Sequence, residues 1–267
     1  MIEPLEALEP SRRVGGTVPS RVIEVDEIRP LARPEALAVA GQEYERYLDQ
    51  LRSLSEDDWQ RDTGCTPWTV QDMAAHVLGQ TESVVSIRET AHQQRAAKRE
   101  RGFRLDGVNA IQIRERAGLT PGEIIERLSS AAPASIRARR RQPGLMRRIR
   151  ISAEPKRGMS ERWSFAYLMD VIYTRDTWMH RMDTARAVGA DVALTPEHDG
   201  RIVADVVADW ARRHGHPFEL ELAGPAGGSY RSGISGERLN LDAVEFCRRL
   251  SGRDGGGEGL LATFTPF

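Results

Sequence analysis

A chain of 267 residues with 40% hydrophobic residues, and with 38 Lys+Arg against 39 Asp+Glu for a formal charge of −1, is long enough to bury a core in one large or two small globular units. It holds no apolar stretch near the ~20 residues that cross a bilayer, and its first residues lack a signal-peptide apolar segment, so a cytoplasmic protein without a membrane partner is expected. The two cysteines, Cys65 and Cys247, are too few for a disulfide framework or a thiolate zinc site, so any metal must be held by histidine and carboxylate.

Residues 1–35 carry Pro4, Pro10, Pro19, Pro30 and Pro34 without a sustained period and read as an extended N-terminal arm, with a short strand at Arg21 to Val25. From Pro34 a first helix follows, with Leu37, Val39, Tyr44, Leu48 and Leu51 as apolar positions, and it stops near Ser53 to Asp58. Thr69 with Asp72 three residues on has the form of a capping box. Val70, Met73, Ala74, Val77, Thr81, Val84 and Val85 continue at helical spacing, which predicts a long second helix to about Arg99. A shorter helix is predicted over Val108 to Arg116, and another opens at Pro121, where proline suits the first turn.

Residues 142–162 read as irregular and basic. The longest helix is predicted from Glu161 to Val188, ending at Gly189, and Pro196 begins a further one with Ile202, Val203, Val206, Val207 and Trp210 on one face. At Phe218 the period changes, with Phe218, Leu220 and Leu222 alternating with Glu219 and Glu221 as in a half-buried strand. Glycine-rich turns, a short helix near Leu241 to Leu250 and an apolar ending follow. The chain therefore reads as mainly α: a helical body over 36–195, then a small α+β domain over 196–267.

The most informative position is in the long helix. At 100° per residue Phe165, Leu168, Met169, Ile172 and Met179 fall on one stripe, and Asp176 falls inside it. A carboxylate there is costly unless paired or metal-bound. His180, one turn on, can converge with Asp176 on one ion, and His76, on the flank of the second helix's apolar stripe, is the candidate third ligand. The alternative is that Asp176 pairs with an arginine such as Arg175 or Arg181 and both histidines are ordinary hydrogen-bonded residues. His92, His198, His214 and His216 read as surface residues.

The run Arg137 to Arg150 has the charge of a nucleic-acid footprint, but no aromatic interleaves it and no helix-turn-helix or zinc-finger spacing accompanies it. A solvated helix end is the better account, so no nucleic-acid partner is expected; a cationic rim that draws in an anionic substrate is a further use. Neither GxGxxG between a strand and a helix nor GxxxxGK[ST] occurs, and neither Cys65 nor Cys247 lies beside a histidine in sequence.

The stretch Thr66-Pro-Trp-Thr-Val-Gln-Asp-Met-Ala-Ala-His76 resembles the Pro-Gly-Trp-Thr-Val-x-Asp-Leu-x-x-His signature of the DinB-like metalloenzymes, specifically the mycothiol-dependent maleylpyruvate isomerase family. The segment around Asn109, the stretch Arg175-Asp-Thr-Trp-Met-His180-Arg-Met-Asp183, and Leu250 to Arg253 with the terminal Pro-Phe resemble its later segments in order, over about residues 36–267. The resemblance implies a four-helix bundle with a divalent metal, usually zinc, on His76, Asp176 and His180, where the isomerase has Glu in place of Asp176. It implies mycothiol as thiol cosubstrate, a small electrophile attacked by the metal-bound thiolate, and an S-transferase or isomerase reaction assisted by Arg253 as catalytic residue. Asp183 is placed to orient a ligand from behind, or to form a buried salt bridge. The competing reading is a non-catalytic bundle that binds metal or a small molecule as a sensor or sequestering protein.

Overall fold

A computed structural model describes residues 21–100 and 104–267. In chain order the elements are β1 (Val22–Glu24), α1 (Arg33–Ser53), α2 (Val70–Val85), α3 (Ile87–Ala97), α4 (Arg104–Arg114), α5 (Pro121–Arg141) and the short α6 (Gly144–Arg148). The strands β2 (Arg150–Lys156) and β3 (Met159–Ser164) lead into α7 (Phe165–Tyr167), a π-helical segment Leu168–Ile172 and α8 (Tyr173–Val188). A second π segment, Pro196–Gly200, opens α9 (Arg201–His214), and β4 (Phe218–Ala223), β5 (Gly228–Ser232), β6 (Glu237–Asp242) and α10 (Ala243–Leu250) complete the chain. Among the described residues no helix is long and apolar enough to cross a membrane.

The helices α1, α2, α5 and α8 form a four-helix bundle. Its core joins Tyr44, Tyr47, Leu48 and Leu51 of α1 to Ala74, Ala75, Val77 and Leu78 of α2 and to Ile124, Leu128 and Ala132 of α5. Fully burying one such aliphatic side chain contributes about 1.5–3 kcal/mol, which outweighs the weak intrinsic propensity of helices this rich in charge. A second apolar cluster joins Trp178, Met179 and Met182 of α8 to α9, α10 and the C-terminal sheet. That sheet has the order β1-β5-β4-β6, with β4 antiparallel to β5 and parallel to β6. Trp210 of α9 packs on Phe218 and Phe246 with ring centroids 4.7 and 5.3 Å away, fixing α9 and α10 to one face of the sheet.

Three expectations change. The long second helix breaks at Ser86, whose extended backbone and side chain, accepting from the Glu89 amide, start α3 as a new helix. Gln93 of α3 then folds back to donate to the Gly79 carbonyl. Residues 142–162 are not irregular throughout: β2 and β3 pair antiparallel, Arg150 opposite Ser164, and turn at Gly158 with φ +81°. Their side chains alternate between exposed and half-buried, so the apolar alternation that marks a strand is faint. The long helix consequently begins at Phe165, capped by Ser164, rather than at Glu161. The strand expected at Arg21 to Val25 forms as β1, parallel to β5, which ties the end of the N-terminal arm into the C-terminal sheet. Residues 1–20 of that arm lie outside the described residues.

Candidate metal centre

The site is built where α2 and α8 face each other. Thr69 caps α2, accepting from the Asp72 amide at 3.2 Å while the Asp72 carboxylate accepts from the Thr69 amide at 3.0 Å. This fixes where the helix starts and so where His76, two turns in, points. On the other side the apolar stripe read from the sequence does not run unbroken, because the π segment Leu168–Ile172 shifts the helical phase ahead of α8. After that shift Trp178, Met179 and Met182 pack toward the C-terminal sheet, whereas Asp176 and His180 face α2.

His76 Nε2 lies 3.3 Å from Asp176 Oδ2, and His180 Nε2 lies 3.3 Å from Asp176 Oδ1. The Gln80 amide donates to the same Asp176 Oδ2 at 2.9 Å. One donor atom from each of His76, Asp176 and His180 lies within 4.8 Å of the other two. The two imidazoles meet edge to face at 5.1 Å between centroids, and the Trp68 indole covers both at 5.1 and 6.0 Å. Both histidines are buried while Asp176 keeps 19% of its side chain exposed, so the carboxylate marks the open side of the cluster.

Among the described residues Asp176 does not pair with an arginine. Arg175 donates to Asp205 at 2.7 Å and Asp209 at 2.9 Å, and Arg181 to Glu43 at 2.7 Å and Asp199 at 2.5 Å. Burial opposes the charge on Asp176, but His180 and His76 outweigh it and hold the carboxyl well below the usual carboxylate range. Burial likewise opposes protonation of His180, and the Asp176 charge, with hydrogen bonds to Asp176, Asp183 and Cys65, overcomes it and raises this histidine well above its ordinary value.

Behind His180 lies a group that only the fold assembles. Asp183 Oδ2 is 3.6 Å from His180 Nδ1 and accepts from Arg253 Nε at 2.8 Å, from Arg253 Nη2 at 2.7 Å and from the Cys65 thiol at 3.5 Å. Arg248 Nη1 donates to the other oxygen at 2.5 Å. Both arginines come from α10 and the turn after it, so Arg253 reaches the site through Asp183 and also donates to Cys65 Sγ at 3.5 Å. Burial opposes ionisation of Asp183, and hydrogen bonding to His180 with the charge of Arg253 nonetheless holds its carboxyl far below the ordinary value.

Asp183 thus forms the expected buried ion pair, with Arg248 and Arg253, and stands beside His180 Nδ1. Cys65, distant from any histidine in sequence, stands beside His180, and nothing local in the sequence signals it. His198 is not on the surface: it is buried with Nε2 2.7 Å from Glu43 Oε2 and Nδ1 3.1 Å from Gln42 Oε1. Glu43, His198 and Asp199 also lie close enough to share an ion, but Arg181 already neutralises both carboxylates. Within the basic run, Arg139 is buried and Arg147 pairs with Asp170, so the run is not one solvated face.

The family model of the mycothiol maleylpyruvate isomerase N-terminal domain matches residues 40–185. The chain belongs to this family. The matched span runs from α1 to the last turns of α8 and so contains His76, Asp176, His180 and Asp183. Beyond it, the fold is similar to the crystal structure of the mycothiol-dependent maleylpyruvate isomerase, with a TM-score of 0.55 and 15% identity over 85% of this chain and 92% of that one. A histidine-to-alanine mutant of that isomerase gives the same TM-score, 0.55, at 14% identity over 84% of this chain and 91% of the other. The family fold of helical bundle and small C-terminal α+β part accordingly describes almost the whole chain. No curated protein matches it.

Proposed function

We propose that the protein is a divalent-metal-dependent, mycothiol-dependent S-transferase or isomerase, cytoplasmic, that joins a thiol to a small electrophile. The single observation that carries this reading is the His76–Asp176–His180 cluster. Each histidine Nε2 lies 3.3 Å from an Asp176 oxygen and the three donors lie within 4.8 Å of one another, close enough for two imidazoles and a carboxylate to share one ion. Among the described residues, buried His76 Nδ1 and Gln80 Oε1 have no hydrogen-bond partner, as suits a site that a ligand completes. Two histidines and one carboxylate suit zinc and also other divalent ions.

When bound, the ion supplies a Lewis acid that lowers the pKa of a thiol or water brought to it. The chain's own groups do the rest. Asp176 and the two Nε2 atoms supply the donors, and Gln80 holds one Asp176 oxygen in place. Asp183, facing His180 Nδ1, keeps that ring oriented. In this reading residues 36–195 carry the donors and residues 196–267 lend Arg253, a cation beside the site that meets charge developing on the electrophile. Trp68 shields the imidazoles from water.

The test is turnover of mycothiol with a panel of small electrophiles, followed as thiol loss for transfer and as cis-trans conversion for isomerisation, in the wild type and in His180→Ala. Metal-dependent turnover lost in the variant is expected. A wild type that retains metal and turns over no electrophile would instead make the bundle a sensor or a sequestering protein.

A further inference from the structure

Five arginines are buried among the described residues: Arg116, Arg139, Arg175, Arg181 and Arg248. Four of them meet carboxylates. Arg116 pairs with Glu82 and Glu89, Arg175 with Asp205 and Asp209, Arg181 with Glu43 and Asp199, and Arg248 with Asp183. Arg139 is the exception: it is 1% exposed and among the described residues no carboxylate pairs with it. Its Nη2 donates to the Tyr44 hydroxyl at 3.2 Å and its Nη1 reaches Thr174 Oγ1 at 3.5 Å, the limit of a hydrogen bond. Its buried Nε has no hydrogen-bond partner among the described residues. The rings of Tyr44 and Tyr173 flank the guanidinium at 5.9 and 5.8 Å, which offsets only part of the cost of burying a charge without a counter-ion.

The place of this cation in the bundle says what would complete it. Tyr173, against Arg139, stands three residues before Asp176 on α8, a rise of about 4.5 Å along the helix axis. Tyr173 and Asp176 are both partly exposed, so the open side of the donor cluster continues toward Arg139. Oε1 of Gln80, whose amide donates to Asp176, is also without a partner among the described residues. A buried guanidinium without a counter-ion and an unmet acceptor beside Asp176 are groups that a polar ligand would satisfy.

We propose that Arg139 is a specificity-determining residue, a buried cation that takes a carboxylate of the electrophile while the reacting end of that molecule lies toward Asp176 and His180. The proposal rests on the metal-centre reading for where the reacting end lies, and not for the anion site itself. Bidentate pairing with a guanidinium selects a planar carboxylate over an uncharged group of the same shape.

The experiment is calorimetric titration of the full-length protein with succinate and with its uncharged diamide. Wild type is expected to bind succinate at least tenfold more tightly than the diamide. Arg139→Gln should erase that preference, Arg139→Lys should keep part of it, and Arg140→Gln, at an exposed neighbour, should leave it intact. Wild type that does not discriminate, or Arg139→Gln that discriminates as wild type does, overturns the proposal. If Arg139→Gln does not fold, the wild-type comparison and Arg139→Lys decide. His180→Ala separates the two readings: loss of succinate binding there but not in Arg139→Gln puts the anion on the metal and defeats the role of Arg139. Unchanged metal content in His180→Ala defeats the metal centre and leaves the Arg139 result standing.

Discussion

Asp176 and His180 are each other's largest electrostatic perturbation, and the direction of both shifts sets how the metal-free protein answers to pH. His180 is raised, so its contribution to stability is present below about pH 6.5 and is lost as pH rises through its folded pKa. Asp176 is lowered, so its contribution is present above about pH 4 and is lost as pH falls through its folded pKa. A metal must displace the proton that Asp176 holds on His180, so metal affinity, measured by chelator competition, should rise from pH 5 to 8; a flat profile would contradict this. Asp183→Asn removes a buried carboxylate that accepts from Arg248 and Arg253 and should cost about 3–5 kcal/mol, read as a fall in Tm. Asp176 stood out because a carboxylate inside an apolar stripe demands a partner, although the π segment shifts the helical phase so that Asp176 and Met179 face different neighbours in the fold. The partners of Asp183 did not stand out, since Cys65 lies 118 residues before it and Arg253 70 residues after it, and no period links positions so far apart.

Among the elements, α2 was the most readable, because its capping box and apolar spacing agree, and its N-terminus places His76, a candidate ligand. Thr69→Ala should cost about 1 kcal/mol and weaken metal binding through His76, checked by thermal unfolding and chelator competition together. Gly79 has a different reason to be what it is. A Cβ there would meet Gln112 Cβ at 2.7 Å and Cγ at 2.8 Å, so α2 and α4 approach only because the side chain is missing. Gly79→Ala should destabilise by about 1–3 kcal/mol despite alanine's better helix propensity, and a neutral or stabilising result would show that α4 gives way. The break at Ser86 and the hairpin of β2 and β3 were hidden for physical reasons. A serine inside a helical period also fits an interior position, and strands whose two faces are both half-wet lack apolar alternation.

For the whole molecule, Arg175 links the bundle to the C-terminal part by donating to Asp205, Asp209 and the Pro266 carbonyl. Arg175→Met should cost Asp205 its guanidinium, leave Asp209 to Arg213 and Tyr167, loosen α9 and the C-terminal residues in hydrogen exchange, and lower the proposed activity more than it lowers metal content. Equal protection in wild type and variant would show that apolar packing alone holds the parts together. The overall arrangement was readable as a helical body followed by a strand-bearing end, whereas the return of β1 to that end was not, because parallel pairing with β5 spans nearly the whole chain. The central claim is that His76, Asp176 and His180 hold a divalent ion. Elemental analysis of metal per chain, on protein purified without added metal and with His180→Ala beside the wild type, tests it most directly. The structure predicts close to one divalent ion per wild-type chain and a loss of it in the variant. A wild type that carries none, and takes up none on titration, would contradict it.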